Sequence, residues 1–170
     1  ALNPRPAAVP PADPDAFAEQ IRRALYASKL CSYAQGFHLL QKASQTYGWD
    51  LALDQIALLF RGGCIIRAAF LNRLADAYRA NPVLENLLLD PGFSRTLLDY
   101  QEDWRRVAAA AAQQGVAVPA ISASLNYFDG LCDPAGPLNL LQAQRDCFGA
   151  HTFRRIDREG VFHYAWLAST

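Results

Sequence analysis

Residues 13–48 read DPDAFAEQIRRALYASKLCSYAQGFHLLQKASQTYG and form the longest helical pattern of the chain. Asp13 and Pro14 predict where this helix starts, because an Asp at the N-cap accepts hydrogen bonds from free amides and Pro suits the first helical position. Gly48 predicts that the helix ends at about Tyr47. Apolar or small side chains lie on two opposite faces, which is typical of a helix that is buried between neighbours.

Helical periodicity continues along most of the remaining chain. We predict further helices at residues 51–78, 81–89, 93–114, 119–130 and 138–148, with a turn at residues 90–92. Pro or Gly residues stand at most of their ends, as expected for helix starts and stops. The predicted fold class is therefore all-α, a helical bundle with an extended C-terminal tail.

Two adjacent glycines, Gly62 and Gly63, interrupt the predicted helix 51–78. Each costs a helix about 1 kcal/mol relative to Ala, so they indicate either that another backbone packs very close or that the helix breaks. Arg61 and Arg67 lie on either side of them. Because six positions on one helix place these arginines on different faces, we interpret both as structural and not as phosphate ligands.

The two ends of the chain differ from its helical middle. Residues 1–14 are rich in Pro and Ala and indicate a linker or a cut end, so we expect further sequence upstream. Residues 15–150 are the predicted helical domain. Residues 151–170 are a predicted tail that carries several large apolar side chains, with a turn at residues 158–160. These side chains need burial against the chain's own helices or against a partner subunit.

Composition excludes several classes of function. The chain has 170 residues, 52% of them hydrophobic, which suffices for one core, and its 16 basic and 16 acidic residues cancel. We therefore expect neither nucleic-acid nor membrane binding, and no apolar run reaches the roughly 20 residues needed to span a bilayer. Four cysteines lack C-x-x-C spacing and flanking histidines, which argues against a zinc site and for a reducing cytoplasm. They are Cys31, Cys64, Cys132 and Cys147.

The predicted helix 138–148 carries the first candidate binding residue, Arg145. At about 100° per residue it falls on an apolar stripe, whereas Asn139, Gln142 and Asp146 form a polar face. A buried guanidinium needs an anion, and the two alternatives are a bound phosphate and a structural salt bridge. The pattern alone favours the salt bridge.

The second candidate, His151, follows the predicted end of that helix. An imidazole there is either a helix C-cap, which the pattern alone favours, or a donor to the same ligand as Arg145.

Three stretches of the chain, in order and at the right spacing, resemble 6-phosphogluconate dehydrogenases. The resemblance extends from about residue 15 nearly to the end of the chain, and the third stretch is its most specific part. The stretches are ALY with SYAQGF (residues 24–26 and 32–37), FRGGCIIR (60–67), and NLLQAQRD with FGAHT (139–146 and 148–152). The segment DREGVFH at residues 157–163 is also similar.

The resemblance implies an enzyme that oxidises 6-phosphogluconate with NADP and releases CO2, giving ribulose 5-phosphate in the pentose phosphate pathway. It implies an N-terminal Rossmann domain, an all-α domain and a tail that inserts into the other subunit of a homodimer. This chain resembles only the C-terminal part. It lacks the nucleotide-binding domain, which holds most of the NADP contacts, and the helix with the catalytic Lys and Glu. We therefore expect the chain alone to be inactive, with no catalytic residue and no metal ligand, and its cofactor-binding residues stay unknown.

The resemblance also assigns roles to the two candidates. Arg145 matches the family's Arg that holds the substrate phosphate, and His151 matches a His that contacts the substrate, both across the dimer interface. Cys147 and Leu138 depart from the family pattern beside that site, where a Tyr and a small residue are usual. The alternative hypothesis is a stand-alone, non-catalytic module that binds a phosphosugar or serves oligomerisation.

Overall fold

The computed structural model describes residues 6, 9–134 and 136–166, so parts of the predicted linker 1–14 and of the tail 151–170 lie outside the described residues. The regular elements within these ranges are helices and one isolated antiparallel bridge, which confirms the all-α prediction. The helices are α1 (Pro14–Tyr47), α2 (Leu53–Leu59), α3 (Leu71–Ala80), a 3₁₀ helix (Leu87–Leu89), α4 (Pro91–Gln113), α5 (Pro119–Cys132) and α6 (Leu138–Gly149). None of the helices described has both the length and the apolar character needed to cross a bilayer.

Helix α1 has the bounds that its sequence predicts. The Asp13 carboxylate accepts hydrogen bonds from the amides of Asp15 and Ala16 at 3.1 and 3.0 Å, and Pro14 is the first helical residue. Gly48 ends the helix in the left-handed region, at φ 65°. These local signals suffice because each satisfies or terminates backbone groups that a helix end leaves free.

The predicted turn at residues 90–92 is wrong, because it is the start of α4. Asp90 caps this helix by accepting hydrogen bonds from the amides of Gly92 and Phe93 at 3.0 and 3.1 Å, and Pro91 is its first residue. The Asp-Pro pair therefore acts as it does at the start of α1. Helix α4 packs along α1, and its buried Trp104 donates through Nε1 to the carbonyl of Ile121 at 3.2 Å.

The continuous helix predicted for residues 51–78 is also wrong, since α2 and α3 are separated by residues 60–70. Gly63 adopts a left-handed φ of 63°, and a Cβ added at Gly62 or Gly63 would meet no atom within 4 Å. The paired glycines therefore mark a break and not a close backbone approach. The argument from helix faces thus fails for Arg61 and Arg67; Arg61 is tied to α3 through Asn72 at 2.9 Å.

The helix predicted for residues 81–89 is reduced to its last turn. Only Leu87–Leu89 are helical, as a 3₁₀ turn that packs on α1 and α4. Asn86 caps this turn, because its side-chain oxygen accepts from the amide of Leu88 at 2.9 Å. The cap starts the helix five positions later than Asn81, the start that the sequence suggested.

The chain divides into two compact units between Phe128 and Asp129, within α5. The first unit contains the main hydrophobic core, in which α1 contacts α2, α4 and the 3₁₀ helix while α2 pairs with α3. Its largest fully buried side chains include Trp104, Phe37 and Phe93. Cys31 is part of this core, whereas Cys64 lies in the break after α2 and not in a helix as predicted. The second unit contains the candidate site.

Candidate functional site

A buried carboxylate organises the second unit. Asp146 of α6 has no solvent-exposed surface, and both of its oxygens accept hydrogen bonds from the segment that follows the helix. Oδ1 accepts from the Thr152 amide and from Nδ1 of His163, each at 2.9 Å. Oδ2 accepts from the Tyr164 amide at 3.0 Å and from Nε1 of Trp166 at 2.9 Å. One side chain thus holds two parts of the tail against α6.

These donors keep the carboxyl group ionised. Burial alone would raise the pKa of Asp146, but hydrogen bonds from Tyr164, His163, Trp166 and Thr152 outweigh burial and hold the pKa well below its usual range. An ionised carboxylate can only accept hydrogen bonds, so Nδ1 of His163 carries the proton in this contact.

The tail reverses direction and returns to α6. Phe153 and Phe162 exchange two backbone hydrogen bonds, at 2.8 and 2.9 Å, which form the antiparallel bridge. Gly160, within the predicted turn 158–160, has a φ of 121° that side chains rarely permit. This reversal places the last described residues beside the start of the tail.

An open cleft of about 920 Å³ lies between α6 and the returning tail. Asn139 and Gln142 line it from α6, and His151 and Tyr164 are among the residues that line it from the tail. Gln142 also donates to the carbonyl of Thr152 at 2.5 Å. Amide, imidazole and phenol groups therefore face one space, which suits a hydroxylated, polar ligand.

His151 is held by a sharp bend at the end of α6. Ala150 has a φ of 49°, and its amide donates to the carbonyl of Asp146 at 2.9 Å. Ala150 therefore performs the capping role that the sequence alone favoured for His151. The His151 ring lies over Gly149, where an added Cβ would be 3.0 Å from Cδ2 and 3.1 Å from Nε2. Gly149 leaves the space that this ring position requires.

Arg145 is exposed, which contradicts the expected burial of its face of the helix. Its Nη1 donates to Oε1 of Gln142 at 3.2 Å, and none of the ion pairs found within residues 9–134 and 136–166 involves it. Leu138 and Leu141, which share its stripe, are 63% and 52% exposed. On the polar face Asp146 is fully buried, because donors from the tail satisfy its carboxylate, whereas Gln142 is half-buried and Asn139 is exposed.

The structure brings the two predicted residues together only indirectly. His151 lines the cleft, whereas Arg145 contacts the cleft through its partner Gln142.

A sequence model described as the C-terminal domain of 6-phosphogluconate dehydrogenase matches residues 2–166 of the chain.

The chain belongs to the 6-phosphogluconate dehydrogenase family.

Curated relatives agree closely with this assignment. The decarboxylating 6-phosphogluconate dehydrogenase of Synechococcus elongatus is 57% identical over 155 residues, which cover 91% of this chain and 33% of the relative. The Escherichia coli enzyme is 53% identical over 162 residues, covering 95% of this chain and 35% of that protein. The chain thus spans about a third of the length of these relatives.

A solved 6-phosphogluconate dehydrogenase from Plasmodium falciparum has the same fold over 94% of this chain and 34% of its own, with a TM-score of 0.84 and 45% identity. That protein was studied in its apo form, with its cofactor NADP+ and with its substrate 6-phosphogluconate. In this chain, residues 9–134 and 136–166 form no strand–turn–helix unit of the kind that holds a dinucleotide.

Sequence reasoning missed the residue at the centre of this 6-phosphogluconate dehydrogenase unit. Asp146 was recognised as part of a polar helix face, and such faces usually point to solvent. The available signal was a carboxylate followed within 20 positions by side-chain N–H donors, His163 and Trp166, in a tail without regular structure. That signal is weak, because spacing along an irregular segment does not determine proximity in space.

Proposed function

We propose that the chain is the C-terminal part of an NADP-dependent, decarboxylating enzyme that converts 6-phosphogluconate to ribulose 5-phosphate and CO2. Its identity of 45% to 57% with enzymes of that name and the shared fold support the proposal. This part binds the substrate and forms dimer contacts, and the hydride and proton transfers take place on residues outside it. The four free cysteines support a location in the reducing cytoplasm.

The exposure of Arg145 is the observation that carries the substrate assignment. Its guanidinium has a neutral amide as partner, at 3.2 Å, and retains a full positive charge for an incoming anion. A planar fork of N–H donors matches the oxygens of a phosphate better than a point charge does. Arg145 therefore holds the 6-phosphate, and His151, which lines the neighbouring cleft, donates to an oxygen of the same substrate.

The second unit also presents apolar side chains that its own helices leave uncovered. They include Leu138, Leu140 and Phe148 of α6 and Ile156 of the tail. Large apolar side chains left exposed in one small unit are expected where a partner covers them. We assign this surface to the homodimer, in which Arg145 and His151 of one protomer complete the site of its partner.

Replacement of Arg145 tests the substrate assignment. In the full-length enzyme, Arg145→Ala removes charge-assisted hydrogen bonds to phosphate, each worth about 1.5–3 kcal/mol, so the KM for 6-phosphogluconate rises roughly 10- to 100-fold. The KM for NADP stays within twofold. Steady-state kinetics with each substrate varied in turn measures both constants.

A matched control is Arg95→Ala, which removes another exposed arginine, paired within α4 to Asp99. This variant keeps both KM values of the parent. Equal increases in the two KM values of Arg145→Ala, or no increase in either, would refute the phosphate role.

A further inference from the structure

We propose that Asp146 is a positioning residue that holds His151 and the opposite wall of the cleft in the geometry that binds substrate. The inference rests on the proposed function of this cleft, and it concerns a residue that does not itself face the substrate. Asp146 is fully buried, whereas its neighbour Arg145 is exposed. Adjacent residues on a helix point about 100° apart, so anchoring the first also fixes the direction of the second.

Asp146 binds the backbone on both sides of His151. Its backbone carbonyl accepts from the Ala150 amide at 2.9 Å, and its side-chain Oδ1 accepts from the Thr152 amide at 2.9 Å. The residues immediately before and after His151 are thus bound to one residue. Neither can shift along the helix axis without breaking one of these hydrogen bonds.

The backbone around His151 needs such anchoring. Ala150 and Thr152 have positive φ values of 49° and 62°, which a β-branched residue such as Thr rarely adopts. Conformations of this kind persist where surrounding contacts determine them. The Asp146 oxygens supply those contacts, and without them the segment relaxes toward ordinary φ values and moves the imidazole.

The second oxygen anchors the other wall of the cleft. Oδ2 accepts from the Tyr164 amide at 3.0 Å and from the Trp166 indole at 2.9 Å, and both residues line the cleft. One carboxylate therefore sets the distance between the His151 side and the Tyr164 side. A side chain with fewer acceptors cannot hold both.

The experiment separates positioning from simple stabilisation. In the full-length enzyme, Asp146→Asn replaces one acceptor by an NH2 group that faces N–H donors, and the KM for 6-phosphogluconate rises at least tenfold, because a displacement near 1 Å costs on the order of 100-fold. The KM for NADP stays within twofold. Trp104→Phe is the control, since it removes the hydrogen bond that a fully buried indole makes in the first unit. This variant lowers Tm and leaves both KM values unchanged.

A milder variant decides the case if Asp146→Asn does not fold. His163→Phe keeps a ring of similar size and removes one of the four donors to the Asp146 carboxylate. His163 does not itself line the cleft. We expect the KM for 6-phosphogluconate to rise roughly threefold or more with Tm within a few degrees of the parent. Values of KM within the error of the parent, in whichever of the two variants folds, would overturn the inference.

The inference and the proposed function fail in different ways. If Arg145→Ala raises the KM for 6-phosphogluconate but Asp146→Asn lowers only Tm, Asp146 is structural and the substrate site stands. If Arg145→Ala has no effect on that KM, the proposed function itself is wrong.

Discussion

Gly149→Ala is expected to weaken substrate binding without destabilising the protein. The added methyl group would lie 3.0 Å from Cδ2 and 3.1 Å from Nε2 of His151. Carbon atoms in favourable contact are about 3.5–4.0 Å apart, so the imidazole must move by a few tenths of an ångström. It can move because it is the end of an exposed side chain, and a displacement near 1 Å can cost on the order of 100-fold. For the smaller shift needed here, we expect the KM for 6-phosphogluconate to rise roughly three- to tenfold.

The effect on stability has the opposite sign. Gly149 is the last residue of α6 and its φ lies outside the left-handed region, so Ala fits the backbone. Replacement of Gly by Ala in a helix gains up to about 1 kcal/mol, less at a helix end. The free energy of unfolding therefore stays constant or increases while affinity falls. A loss of affinity through partial unfolding would instead lower both.

Steady-state kinetics with saturating NADP and varied 6-phosphogluconate, together with thermal unfolding of the same samples, measures both effects in the full-length enzyme. Gly130→Ala is the matched control, because Gly130 is helical in α5 and an added Cβ there meets no atom within 4 Å. The control keeps the parent's KM. A KM of Gly149→Ala within twofold of the parent, or an equal rise in the control, would refute the role of Gly149 in placing His151.

Two further predictions concern acid stability and association. Folding lowers the pKa of Asp146, so the contribution of its ionised carboxylate to stability is complete above the unfolded pKa of about 3.9 and is lost as pH falls toward the folded pKa. The Tm measured from pH 5 to 2 should therefore fall more steeply for the parent than for Asp146→Asn. Parallel curves for the two proteins would contradict this prediction. Ile156→Asp should raise the dissociation constant of the proposed homodimer at least tenfold, since burying Ile contributes about 1.5–3 kcal/mol. Light scattering across a dilution series checks this against Val83→Asp, an exposed position of the first unit.

Local sequence signals predicted helix ends where capping residues within one turn determine them. Asp13, Pro14 and Gly48 predicted both ends of α1, because capping depends on residues within one turn. The same Asp-Pro signal at Asp90 was interpreted as a turn, although it starts α4. The signal was present, but a following Gly made a turn equally compatible with the sequence.

Periodicity was less informative across the break between α2 and α3. Apolar residues recur at helical spacing through residues 51–78, yet Gly63 takes a left-handed φ and the chain leaves the helix. The paired glycines permitted a close contact or a break. The open space around both glycines shows that no backbone packs against them, so they mark a helix break.

The all-α class, the ends of α1 and, through its motifs, the family follow from the order of the amino acids. Which side chain of α6 is buried follows only from the folded chain. Periodicity predicted burial of the stripe with Arg145, but Asp146 is buried and Leu138 is exposed. The physical reason is that burial of a carboxylate is unfavourable until N–H donors surround it, and the donors to Asp146 lie 6 to 20 positions along an irregular tail. Their convergence is a property of the folded chain.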